Sequence, residues 1–102
     1  MMAMTEVVLS AGNQRFSHAV KGVTYQFRLI WRGTGWILDI YEKNTGNLVI
    51  GGIPLVTGAD LMEQHEWMDL GFSLLVICDI PGQDYPTEYD LGTTSHLYLV
   101  TE

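Results

Sequence analysis

Apolar and polar residues alternate strictly from Val23 to Trp31: Val23, Tyr25, Phe27, Leu29 and Trp31 fall on one face, and Thr24, Gln26, Arg28 and Ile30 on the other. A period of two with one apolar face predicts a half-buried strand. The segment Arg32-Gly33-Thr34-Gly35 supplies residues that tolerate positive φ, so the chain can reverse tightly into a second strand over 36–42. There Trp36, Leu38 and Ile40 share one face and Ile37, Asp39 and Tyr41 the other. Apolar residues on both faces predict a central strand, or one packed on a neighbouring subunit. A second turn at Lys43 to Asn47 leads to a strand over 47–51, which completes an antiparallel meander.

The rest of the chain repeats this pattern more loosely. Thr5 to Ser10 is a β-branched run suited to a first strand, followed by a turn at Ala11-Gly12-Asn13. After Gly51-Gly52 the alternation breaks, and Pro54, which has no N–H for a ladder, belongs at an edge or a bend. Asp60 with Glu63 three residues on has the spacing of a capping box, for a single helical turn or a loop. Strands are predicted over 72–79 and 96–101, with a long loop over 81–95 between them. The expectation is one all-β domain over 1–102, a small antiparallel β-barrel or sandwich of about six strands. Its core should include Phe27, Leu29, Trp36, Leu38, Ile40 and Val76.

Composition adds a partner question. Apolar residues make up 47% of the 102 and charged residues only 17%, which excludes disorder and leaves little charge for a monomer's surface. All five basic residues lie in the first 43 positions, where the balance is +2; the remainder carries −9. That asymmetry predicts a polarised surface. A net charge of −7 argues against direct nucleic-acid binding, which needs a basic patch for phosphate. Cys78 has no disulfide partner and falls in an apolar run, the setting of an inert buried thiol. The N-terminus lacks the charged and apolar regions of a secretory signal, and no run approaches the roughly 20 apolar residues of a membrane helix. Cytosolic synthesis without membrane insertion is the expectation.

Catalytic and metal chemistry find little support. His65-Glu66 opens like a zinc-protease signature, but Asp69 stands where the second histidine is required. A site from Glu63, His65 and Asp69 is therefore disfavoured, and His18 and His96 are dispersed. Asp79, Asp84, Glu88 and Asp90 form an acidic group without the spacing of a calcium loop. No Gly-x-Ser-x-Gly occurs, and neither glycine pair precedes a helix that could receive an anion. The reading is a protein with no catalytic residue, no bound metal and no cofactor. The aromatic residues stand out instead. Trp67, Tyr85 and Tyr89 lie in predicted loops, where they are candidate interface anchors.

Five pieces of the chain, taken in order and spacing, carry a family resemblance. They are Asn13-Gln14-Arg15-Phe16; Tyr25-Gln26-Phe27-Arg28-Leu29; Trp36-Ile37-Leu38-Asp39-Ile40; Gly51-Gly52 with Leu55 and Gly58-Ala59-Asp60-Leu61; and Leu91-Gly92 before Leu97-Tyr98. Together they resemble the small phage tail proteins known as baseplate plug proteins, after a component of a cyanophage baseplate. The resemblance implies a structural virion protein near the hub of a contractile tail. It would be made in the host cytoplasm and would contact hub, tube or spike proteins, or further copies of itself. It transfers no catalytic residue. The alternative from another class is a small ligand-binding β-module, with Trp67, Tyr85 and Tyr89 as stacking platforms for carbohydrate.

Overall fold

A computed structural model describes residues 3–63 and 70–101. Seven strands follow in order: β1 (Ala3–Val7), β2 (Gln14–Val20), β3 (Val23–Trp31), β4 (Trp36–Glu42), β5 (Leu48–Pro54), β6 (Phe72–Cys78) and β7 (Ser95–Thr101). They form two antiparallel sheets, β1-β7-β6 and β2-β3-β4-β5, which do not close on each other. The architecture is a β-sandwich rather than a barrel, and no α-helix occurs among the described residues.

The inner faces follow the alternation in the sequence. From the larger sheet, Tyr25, Phe27, Leu29, Trp36, Leu38 and Ile40 point inward; Phe72, Leu74, Val76, Leu97 and Leu99 meet them from the smaller one. All six residues expected in the core are buried. Phe27 and Tyr25 reach across the sandwich to Phe72, with ring centroids 5.9 and 5.4 Å apart. β4 is central in the larger sheet, between β3 and β5, and its outward residues Ile37, Asp39 and Tyr41 are half-buried.

Three differences from the sequence expectation have physical reasons. β2 lies where the pattern predicts no strand, because only Phe16 and Val20 of its inward positions are apolar. It is held by pairing with β3, where Phe16 stacks on Phe27 at 5.0 Å with the rings 7° from parallel. The two-residue turn between them is Lys21-Gly22, with φ of 51° and 82°, the double positive φ of a primed hairpin turn. Secondly, β1 ends at Val7 instead of running to Ser10, since it pairs with β7. Residues 8–13 carry the chain across to the other sheet, and Gln14 fastens the bend through Ser10 and Gly12.

The third difference is in β5, which continues through Gly51-Gly52 to Pro54. Between Ile40↔Ile50 and Leu38↔Ile53, two glycines oppose the single residue Asp39, which makes a bulge. Gly52 adopts a φ of 75°, and its N–H donates to Asp39 Oδ1 at 2.9 Å. The bulge returns Ile53 to the core, while Pro54 sits exposed on an edge strand.

Candidate interface on the loop between β6 and β7

Residues 79–94 have no strand of their own, yet they are fixed at many points. Asp90 is the hub. Its Oδ1 accepts the Thr87 N–H at 2.8 Å, and its Oδ2 accepts from Gln83 Nε2 at 2.7 Å and Ser95 Oγ at 3.0 Å. Its carbonyl accepts the Thr93 and Ser95 N–H groups. Burial works to raise the pKa of the Asp90 carboxyl, but the hydrogen bonds from Gln83, Ser95 and Thr87 outweigh it and hold the group below the ordinary carboxylate range.

The loop is also tied to the body of the sandwich. Trp36, buried in the core, donates its indole N–H to the Thr87 carbonyl at 2.8 Å. Thr57 N–H donates to the Asp84 carbonyl at 2.8 Å, and Asp79 N–H to the Thr94 carbonyl at 2.7 Å. Pro86 and Leu91 are fully buried beneath the loop. Gly92, at a φ of 81°, lies so close to the Leu9 carbonyl that no side chain fits there.

A loop anchored this firmly presents a fixed outer surface. Tyr85 and Tyr89 are 52% and 77% exposed, although both are large rings that ordinarily favour burial. Beside them the Asp84 and Glu88 side chains stand in solvent, without a hydrogen bond or ion pair among the described residues. Ile80 is exposed on the same loop. Tyr89 and Glu88 border a shallow depression of about 280 Å³ whose floor includes Trp31 and Trp36. Trp67, the third anchor expected from sequence, lies outside the described residues, as do His65, Glu66 and Asp69.

The acidic group read from sequence thus divides by role. Asp90 organises the loop, Asp79 faces His96, and only Asp84 and Glu88 are left to the surface. His96 is held between two carboxylates on the outer face of the smaller sheet, with Nδ1 2.7 Å from Glu6 Oε2 and Nε2 3.0 Å from Asp79 Oδ2. Hydrogen bonding to Asp79 and then to Glu6 raises its pKa above the usual imidazole value. Cys78 is half-buried, with its Sγ 3.2 Å from Ser95 Oγ. Asp60 accepts the Met62 and Leu74 N–H groups on Oδ1, so it fastens a tight turn to β6. Among the described residues, no three His, Cys, Asp or Glu side chains converge where a metal ion could sit.

Over residues 4–102 the chain matches the family described as "Cyanophage baseplate Pam3 plug gp18". The chain belongs to this family. A comparison with curated proteins gives no match. The baseplate plug family is a structural one and not a class of enzyme, and it places the chain with virion tail components that associate with other baseplate parts.

Proposed function

We propose that this protein is a structural plug or hub-associated component of a contractile-tail baseplate, acting through protein contacts and catalysing nothing. The match to the baseplate plug family over nearly the whole chain carries this reading. The loop of residues 79–94 supports it, because a rigid loop with two exposed tyrosines binds a partner without first losing its own conformational freedom. Hub, tube or spike proteins are the partners, with Tyr85, Tyr89 and Trp67 as anchors. The competing carbohydrate-binding reading would use Trp67, Tyr85 and Tyr89 as stacking platforms, of which Tyr89 borders the depression that Trp31 also lines.

Mass spectrometry and cryo-electron microscopy of purified particles test the assignment. The account predicts the chain in the baseplate at fixed stoichiometry. Particles that assemble complete baseplates without it would contradict the assignment.

A further inference from the structure

The outer face of the larger sheet carries an unbalanced positive site. Arg15 on β2 is the register partner of Arg28 on β3, and like charges directly opposite on a sheet repel. One carboxylate serves the pair. Asp39 Oδ2 accepts from Arg28 Nη2 at 2.9 Å, while its other oxygen is taken by the Gly52 N–H. The Arg28 Nε is buried and has no hydrogen-bond partner, and Arg15 makes no ion pair among the described residues. Arg15 and Arg28, with Gln26, Tyr41 and Gly46, line a depression of about 260 Å³ that no carboxylate among the described residues lines. Arg28 also lies over the Tyr41 ring, 5.9 Å from its centroid.

Such a site suits a carboxylate side chain, which can accept from two guanidinium forks. At about 260 Å³ it is smaller than most small-molecule pockets, which begin near 300 Å³, a size that suits protruding side chains better than a free ligand. The chain has suitable acids of its own in Asp84 and Glu88 on the fixed loop. They cannot reach the depression of the same molecule. The loop rests on Trp36 at the start of β4, whereas Tyr41 is five residues along that strand, about 17 Å away at about 3.3 Å per residue.

We infer that Asp84 and Glu88 of one copy dock into the Arg15–Arg28 depression of a second copy, a head-to-tail contact between two different surfaces. A two-fold contact through the basic faces would bring four arginines together and is disfavoured on the same charge argument. Contacts of the head-to-tail kind propagate, closing into a ring if the rotation permits and into a filament if it does not. This deepens the proposed function by naming one occupant for the loop, and it rests on the reading of that loop as an interface.

Sedimentation velocity on the purified chain at low salt provides the test, with Arg15→Glu as the face variant and Asp84→Arg/Glu88→Arg as the loop variant. Circular dichroism confirms that each variant folds. Wild type should form oligomers that dissociate as salt rises. Each variant alone should be weakened roughly tenfold or more, as charge reversals at paired sites are. An equimolar mixture should associate again, because the face variant's intact loop meets the loop variant's intact face and the two reversed surfaces complement each other. A wild type that stays monomeric, a folded variant that associates like wild type, or a mixture that stays monomeric would each overturn the inference. A monomeric chain that still enters the baseplate would sink this contact alone; a self-associating chain that never enters the baseplate would sink the proposed function instead.

Discussion

The indole N–H of Trp36 donates to the carbonyl of Thr87 across 2.8 Å, joining the centre of the core to the loop that carries Tyr85 and Tyr89. Trp36 is 1% exposed, so its ring position is set by core packing and the loop inherits that rigidity. Trp36→Phe removes the donor and part of the ring, leaving the Thr87 carbonyl without its partner. We expect a loss of about 2 to 4 kcal/mol. Hydrogen exchange should show faster opening of residues 83–91 than of β3. Unchanged exchange in the loop would mean that other contacts hold it.

Asp90 holds the same loop from within. Asp90→Ala strips the acceptor from Thr87, Gln83 and Ser95, and should cost about 1 to 3 kcal/mol. The depressed pKa of this carboxyl fixes the sign of the pH effect. Its stabilisation is complete above the unfolded-state value of about 3.9 and is lost as pH falls through the lower folded-state value. Denaturant melts in that acid range should show wild type converging on the variant; a constant gap down to the lowest pH would contradict the role given to Asp90.

His96 gives the opposite sign. Its pKa is raised by Asp79 and Glu6, so its contribution is complete below the unfolded-state value of about 6.5 and lost as pH rises through the folded-state value. Glu6 and Asp79 are 46% and 54% exposed, which limits the effect to that of surface ion pairs, about 0.5 kcal/mol. Thermal melts at about pH 6 should place wild type roughly 2 to 4 °C above His96→Gln, a gap that narrows by about pH 8. The group ties β1 and the end of β6 to β7, so a gap of equal size at both pH values would show that the bonds act without charge.

Leu38, with no exposed surface, sits at the middle of β4 among core side chains from both sheets. Leu38→Ala should cost about 2 to 5 kcal/mol in equilibrium denaturation. A change below about 0.5 kcal/mol would mean that the core collapses around the deletion, which close packing does not favour.

What the sequence made legible follows from which positions carry their own signal. β3 has apolar residues at every inward position and β4 at all but its last, Glu42, and their limits at Val23–Trp31 and Trp36–Glu42 are those the alternation predicts. β2 has Gln14 and His18 inward, and its place depends on pairing with β3, so local pattern could not reveal it. A doubled positive φ at Lys21-Gly22 was the missing hint, and Lys is a poor advertisement for it. Tyr85 and Tyr89 were legible as aromatics without a place in the core, and both are exposed. The loop's stiffness was not, because Asp90 takes partners from both sides of it and Trp36 comes from another sheet.

Capture of the tail hub, tube and spike proteins by the co-expressed chain, compared with its Tyr85→Ala/Tyr89→Ala variant, tests the central claim most directly. Both tyrosines are exposed, so the variant should keep its circular dichroism spectrum and its melting temperature. The account predicts a stable complex for wild type and, for the variant, binding weakened by roughly thirtyfold or more, as expected when interface hot spots are truncated. No complex with any of the three proteins, or undiminished binding by the folded variant, would contradict it.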